Sequence, residues 1–351
     1  MRYTMLGRSG TAVSTLALGT MTFGTETDEA GAFCQLDRYA EAGGNLVDTA
    51  DVYSGGASEA IIGRWLADRP DDLTDRIVLA TKGRFPTGGD VNDVGLSRRH
   101  LDRALTASLR RLGADSVDLY QTHAWDPLTP VEETLAFMDD AVRAGKIRYW
   151  GLSNVTGWQL QKIVSTAEAA GLTRPVTLQP QYNLLARELE WEIAPAAAYN
   201  GLGLLPWSPP AGGLLTGKYR RDTEAPEGTR AGSGDPFAAG VHRARTAQER
   251  TWAVVDAVTE IATKRDISPA RIALAWVAGR PGVTSVILGA RTLAQLDDNL
   301  AAAGLVLDAD ETERLEAAGE PETADYPYGP LGAGQRSRVP EGGFPLLDDA
   351  S

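Results

Sequence analysis

Cysteine is nearly absent. Cys34 is the single one in 351 residues, which excludes an internal disulfide and a cysteine-based metal cluster. Histidine is almost as scarce: His100, His123 and His242 are the only three, and none pair at H-x-x-x-H or H-E-x-x-H spacing. A histidine zinc site therefore has no support, and no metal is expected. No apolar run approaches the ~18 residues of a membrane span. The N-terminal stretch MRYTMLGRSG also lacks the apolar core of a signal peptide, so the expected location is cytoplasmic. Positive charge is in deficit as well, with 34 Lys+Arg against 47 Asp+Glu and a net charge of −13. That field does not attract nucleic acid or an anionic membrane, and neither is expected as a partner. A phosphate-bearing ligand would need a local basic site. No G-x-G-x-x-G follows a strand, against a Rossmann dinucleotide site. The run from Gly212 to Gly217-Lys218 has P-loop spacing, but Tyr219 stands where that loop needs Ser or Thr for Mg²⁺.

What is present is a rhythm. Short apolar runs occupy 15–19, 45–48, 77–82, Val117–Thr122, Ile147–Ser153, 176–179, 203–207 and 285–289. Several are apolar without strict alternation, as expected of parallel strands buried on both faces. Amphipathic segments lie between them. Leu101, Leu105, Leu109 and Leu112 fall on one helical face behind Ser97. Thr129-Pro130-Val131-Glu132 and Thr156-Gly157-Trp158-Gln159 read as capping boxes, and Ser268-Pro269 opens a further helix. Eight strand–helix repeats predict a closed (β/α)8 TIM barrel rather than an open doubly wound sheet. One domain is expected over 1–351, interrupted by a long loop at about 220–245 and ending in an irregular tail at about 320–351. Trp65, Trp158, Trp252 and Trp276 fit apolar helical faces and are expected in the core.

In such a barrel the loops at the carboxyl ends of the strands form the active face. The polar residues there are Asp48, Tyr53, Lys82, His123, Ser153, Asn154, Gln179, Trp207 and Ser208. Carbonyl reduction needs a hydride donor and a proton for the developing alkoxide. A free tyrosine has a pKa of about 10, and a neighbouring ammonium such as Lys82 would stabilise its anion and ease donation. Asp48 would hold Lys82 charged and oriented, and His123 would orient the carbonyl oxygen. Taken singly, each has a plain alternative: a turn-forming Asp, a solvated Lys, a loop His, a packing Tyr.

The motifs together resemble the aldo-keto reductase family, from about Tyr3 to about Ala318. Asp48-Thr49-Ala50-Asp51-Val52-Tyr53 is similar to the family's D-T-A-x-x-Y segment. Ala80-Thr81-Lys82, Asp118-Leu119-Tyr120-Gln121-Thr122-His123 and Gly151-Leu152-Ser153-Asn154 resemble its lysine strand, histidine strand and amide-binding turn. The resemblance implies a catalytic tetrad of Asp48, Tyr53, Lys82 and His123, with Tyr53 as proton donor. It also implies NADPH as cofactor. Gly19, Thr20, Met21 and Asp48 would approach it from the first two strands. Ser153, Asn154 and Gln179 would hold the carboxamide, and Trp207 would stack on the nicotinamide. Ser208, Pro209, Ala211, Gly212, Leu214 and Lys218 would wrap the pyrophosphate, while Gly289, Arg291, Gln295 and Asn299 would take the adenosine 2′-phosphate and adenine. Phe23, Arg84 and Trp125 join Tyr53 and His123 as candidate substrate contacts. Pro210, and Ser54-Gly55-Gly56 after Tyr53, depart from the commoner family pattern.

The expected activity is NADPH-dependent reduction of a small aldehyde or ketone. A keto-deoxysugar nucleotide reductase is the alternative within the same chemistry. An NADPH-sensing regulatory subunit, like the potassium-channel β-subunits that the overall pattern resembles, is the alternative outside it. Those relatives replace the histidine that this chain keeps at His123. Oligomeric state and physiological carbonyl are left open by the sequence.

Overall fold

The computed structural model describes residues 1–229 and 231–336, with Phe237 described by its backbone alone. Its chain divides into two compact units, Met1–Gly319 and Glu320–Ser351. The first contains eight parallel strands: β1 (Leu16–Gly19), β2 (Leu46–Asp48), β3 (Val78–Gly83), β4 (Val117–Thr122), β5 (Ile147–Ser153), β6 (Thr177–Gln179), β7 (Gly203–Leu204) and β8 (Val286–Leu288). Neighbours in the chain are neighbours in the sheet, and β8 pairs with β1, Val286 opposite Leu16. The remaining seam closes through Thr284 N–H to Leu204 O (2.8 Å) and Ile287 N–H to Pro206 O (2.9 Å). This is the expected (β/α)8 barrel. The run expected at 203–207 stops early as a strand because Pro206 has no N–H to continue the ladder.

The two faces of the strands explain why their sequences are apolar throughout. Inside the barrel, Leu6, Val13, Ala17, Leu46, Val78, Ala80, Leu119, Leu205 and Ile287 form one buried cluster. Outside, a much larger cluster fills the layer between strands and helices, and includes Trp65, Trp150 and Trp276. An antiparallel hairpin, Tyr3–Met5 with Ala12–Ser14, precedes β1. Its turn presses on the starts of β6 and β7: a Cβ at Gly7 would lie 1.9 Å from Val176 O and 2.9 Å from Gly203 N.

The helices are α1 (Glu29–Glu41), α2 (Ala57–Asp68), α3 (Arg98–Leu112), α4 (Val131–Arg143), α5 (Gly157–Ala170), α6 (Ile193–Tyr199), α7 (Pro236–Thr246), α8 (Glu249–Arg265), α9 (Pro269–Ala278), α10 (Leu293–Leu300) and α11 (Ala309–Ala318), with a single turn at Asp71–Thr74. Ser97 caps α3 by accepting from His100 N–H at 3.3 Å, and Thr156 N–H is closed by the Gln159 side chain at 2.8 Å. The box expected at Thr129 does not form. Its hydroxyl donates instead to Asp126 Oδ2 at 2.6 Å, and α4 starts one residue after Pro130.

Three further expectations are corrected. The long loop at 220–245 is irregular only in its first part; Pro236 supplies a preset helical φ and α7 runs from it to Thr246. Trp158 is not core. It stands 59% exposed in the first turn of α5, edge-on to Trp125 with ring centroids 5.6 Å apart. Trp65, Trp252 and Trp276 are buried as expected. The tail expected to be irregular carries a helix, Pro330–Arg336, again opened by proline; its residues 337–351 lie outside the described residues.

Candidate active site

Each side chain of the site is delivered by a strand end. Asp48 is the last residue of β2, and Lys82 lies near the end of β3, both pointing inward. After Asp48 the chain makes a short turn, Tyr53–Gly56, in which Ser54, Gly55 and Gly56 have φ of 51°, 63° and 94°. Gly56 suits the turn because its φ of 94° is a backbone conformation that side chains rarely adopt. Ser54 fixes the turn by donating to Phe23 O at 2.7 Å.

The Lys82 ammonium is fully buried, and all three of its donors are used. Nζ donates to Asp48 Oδ2 at 2.6 Å, to Thr49 O at 2.8 Å and to the Tyr53 hydroxyl at 3.2 Å. Burial alone would lower the lysine's pKa; the Asp48 carboxylate and Tyr53 outweigh it, and the net shift is upward. Asp48 is satisfied on its other oxygen, accepting from Gln179 Nε2 (2.9 Å) and Gln121 Nε2 (3.2 Å). His123, just past β4, has its ring centroid 5.8 Å from that of Tyr53 and 4.7 Å from that of Phe85. Burial, and then the charges of Lys82 and Arg84, push its pKa down to about 2, so the imidazole is neutral at ordinary pH. Its Nδ1 is buried without a hydrogen-bond partner.

These groups open into a cleft of about 670 Å³ across the carboxyl end of the barrel. Of the residues expected at the site, Gly19, Thr20, Met21, Asp48, Tyr53, His123, Ser153, Asn154, Gln179, Trp207, Ser208, Pro209, Gly212, Lys218, Gly289, Arg291, Gln295 and Asn299 line it. Lys82 is sealed beneath. Neighbours hold several of them in place. Asn154, at φ 52°, donates to His123 O (2.9 Å) and accepts from Trp207 Nε1 (3.2 Å). Ser153 donates to Gln179 O at 2.8 Å, and Asn299 to Gly289 O at 3.2 Å. Gln295 accepts from Arg291 N–H at 2.9 Å, so its helix-start and cleft positions coincide. Gly19 is needed for closure: a Cβ would meet Ile287 Cγ2 at 2.6 Å and Leu288 O at 2.8 Å.

Five expected residues stand elsewhere. Ala211 and Leu214 are buried in the outer core, turned there by positive-φ backbone at Ala211, Gly212 and Gly213. Phe23 is fully buried in the same core. Trp125 packs against that core and lines a small apolar pocket with Leu96 and Leu152 rather than the cleft. Arg84 lies over the Phe85 ring, 5.0 Å from its centroid, and Phe85 is the one that faces the cleft.

Thr22, Glu26, Ser268 and Asp298 also line the cleft, and Gln121 supports Asp48, without having been expected there. Gln121 was findable: it is two residues before His123 on β4, hence on the inward face, and pairs in register with Lys82. Ser268 was read only as a helix start. It also lines the cleft, where its hydroxyl donates to Asp298 Oδ2 at 2.5 Å. Thr22 and Glu26 sit on a loop with no periodic signal. Among the described residues, no group of three or more His, Cys, Asp or Glu could hold a metal ion.

The chain is similar to known proteins along most of its length. A model of the Aldo/keto reductase family matches residues 15–320. The uncharacterised oxidoreductase YrpG of Bacillus subtilis (strain 168) is 39% identical over 319 residues, covering 88% of this chain and 93% of the relative. A probable voltage-gated potassium channel subunit beta of Oryza sativa subsp. japonica is 37% identical over 324 residues, covering 90% and 96%. The versiconal hemiacetal acetate reductase of Aspergillus parasiticus is 34% identical over 339 residues, covering 90% and 96%. No helix among the described residues is long and apolar enough to cross a membrane. With its family match spanning the barrel from β1 to the end of α11, the chain belongs to the aldo/keto reductase family, oxidoreductases that use NAD(P)H.

Proposed function

We propose that this chain reduces a small aldehyde or ketone to the alcohol with NADPH, and that Tyr53 is the proton donor. The observation that carries the reading is the buried chain Asp48–Lys82–Tyr53, with contacts of 2.6 and 3.2 Å, ending on a hydroxyl that faces the cleft. The cleft suits a phosphorylated dinucleotide. Lys218 and Arg291 converge in it although the chain carries −13 overall. The Lys218 ammonium lies close over the backbone of Gly213, where a Cβ would come within 2.5 Å of Nζ. Ser208, Gly212 and Lys218 would hold the pyrophosphate, and Arg291, Gln295 and Asn299 the adenosine end. Asn154 and Trp207 would position the nicotinamide, which supplies the hydride when bound.

The protein's part is the proton. As the carbonyl oxygen gains negative charge, the Tyr53 O–H bond breaks, the proton bonds to that oxygen, and the electron pair stays on the tyrosyl oxygen. Lys82 stabilises the resulting tyrosinate electrostatically, and Asp48 keeps Lys82 charged and aimed. A neutral His123 can donate one N–H to the carbonyl oxygen without bringing a competing charge. Phe85 and Trp207 line the cleft beside Tyr53 and His123 and give the reacting centre apolar walls.

The likeness to potassium-channel β-subunits favours a second reading, a nucleotide-sensing subunit that turns over slowly. One experiment separates the two: steady-state NADPH oxidation with a panel of aldehydes, ketones and diketones, for wild type and Tyr53→Phe, beside nucleotide titration by tryptophan fluorescence. The enzyme reading expects turnover that falls by roughly 10²–10⁴ in the variant with nucleotide affinity nearly unchanged. Full turnover by Tyr53→Phe would refute the proton-donor role, and tight nucleotide binding with no turnover on any carbonyl would favour the sensor.

A further inference from the structure

Glu26 stands beside the two cations, Lys218 and Arg291, that line one end of the cleft. Its loop is tied to the turn after β8: Thr22 Oγ1 donates to Ala290 O at 3.1 Å, and Thr27 Oγ1 to Arg291 O at 3.2 Å. Glu26 N–H donates back to Thr22 O at 3.0 Å. The backbone is therefore fixed while the carboxylate, about half exposed, can rotate. In the structure its Oε2 lies 3.3 Å from Arg291 Nε. Arg291 is held on its other side as well, donating through Nη1 to Gly228 O at 2.6 Å. Glu26 also acts on Lys218, whose ammonium is disfavoured first by burial and then by Arg291, and favoured by Glu26. The other carboxylate at this end, Asp298, is committed elsewhere, accepting from Ser268 Oγ at 2.5 Å and Arg271 Nε at 2.8 Å. Among the described residues that line the cleft, Glu26 is the carboxylate that faces both Arg291 and Lys218.

We propose that Glu26 is a resident counter-anion of the Arg291–Lys218 corner and sets how strongly the cleft prefers a dinucleotide with a 2′-phosphate over one with a 2′-hydroxyl. The inference rests on reading the cleft as a nicotinamide dinucleotide site. A 2′-phosphate competes with Glu26 for Arg291 and repels it, so the carboxylate must turn out to solvent and its ion pair is lost. A 2′-hydroxyl is neutral and a donor. Glu26 can keep Arg291 and accept from that hydroxyl at once. The residue therefore narrows the gap between the two nucleotides, although Arg291 by itself widens it.

The test is equilibrium binding. Dissociation constants for NADP+, NAD+, 2′-AMP and 5′-AMP are measured by calorimetry on wild type, Glu26→Gln, Glu26→Asp, Arg291→Ala and the double variant Glu26→Gln/Arg291→Ala. The expected result is that Glu26→Gln binds NADP+ and 2′-AMP roughly three- to tenfold tighter, with NAD+ and 5′-AMP unchanged or weaker. Glu26→Asp, which keeps the charge, stays near wild type, and the gain from Glu26→Gln disappears when Arg291 is absent. An equal change for both nucleotides, weaker NADP+ binding, or a gain that persists without Arg291 would overturn the proposal. Failure of wild type to bind either dinucleotide would overturn the reading of the cleft, and this proposal with it.

Discussion

Replacing Asp48 by asparagine tests the electrostatic logic of the site through stability alone, with no substrate needed. Asp48 has two oxygens in use: one takes Lys82, the other takes the amides of Gln179 and Gln121. Asparagine has a single oxygen, so either the ammonium or the two amides lose their acceptor. Lys82 is fully buried and would keep only two neutral partners, Thr49 O and the Tyr53 hydroxyl. Leaving one member of a buried ion pair uncompensated costs about 3–5 kcal/mol, which in a domain this large is a fall in Tm on the order of 10 °C. The pH dependence carries the sharper sign. In wild type the folded pKa of Lys82 is raised above the ordinary lysine value of 10.5. Its contribution is full below the unfolded value and is lost as pH climbs through the folded one. Without the carboxylate, burial dominates and the folded pKa drops below the unfolded value. The unfolded chain then binds more protons, and stability rises with pH up to about 10.4. The gap between variant and wild type is therefore widest near neutrality and narrows toward pH 10. Urea denaturation between pH 6 and 10 measures it. The double variant Asp48→Asn/Lys82→Met, which removes the stranded charge, should recover much of the loss. A pH-independent deficit, or a double variant no better than the single one, would refute the argument.

Two other groups give pH signatures of opposite sense. His123 is depressed to about 2 in the fold against about 6.5 in the unfolded chain, so the stability it contributes is present above pH 6.5 and drains away as pH falls; His123→Gln should flatten the acid side of the stability curve between pH 6.5 and 4, and a folded-state imidazole titrating near 6.5 by NMR would contradict this. Asp51 is driven up to about 7, first by burial and second by Glu59. Its folded pKa is raised, so its contribution is full at acid pH and lost as pH rises through about 7. Asp51→Asn should accordingly raise Tm more at pH 8 than at pH 5, and an equal shift at both would place the effect in packing instead.

The barrel was legible because its strands are buried twice, once toward the interior and once toward the helices, and so appear as uninterrupted apolar runs. Their ends were legible because polar residues interrupt those runs on one face only, which is how Asp48, Lys82 and His123 fell on the same end. What escaped reading were features set by contacts between distant segments. The strands of the N-terminal hairpin are too short, and Tyr3 and Met5 too exposed, to carry a pattern. Thr129 has the sequence of a cap but gives its hydroxyl to Asp126. Trp158 lies on an apolar helical stripe at a turn where Trp125 is its partner. Phe23 was a plausible cleft aromatic by position; burial places it in the core, and Phe85 faces the cleft instead. Glu26 belongs to a pattern only once the loop after β1 is laid against the turn after β8.

That last juxtaposition has a consequence for how the molecule is made. The β8–β1 pairing joins the latest strand of the barrel to the earliest, so it is the contact with the greatest loop-closure entropy to overcome. During synthesis the edge of β1 has no neighbour on that side until β8 leaves the ribosome, and an open apolar edge is the kind that pairs with the wrong chain. The cleft straddles this seam, with Gly19, Thr20 and Thr22 on one bank and Gly289, Ala290 and Arg291 on the other. A ligand lying across both banks would act as a late-arriving clasp, slowing the opening of the very pairing that forms last. Cellular nucleotide level would then govern the lifetime of the folded chain as well as its turnover.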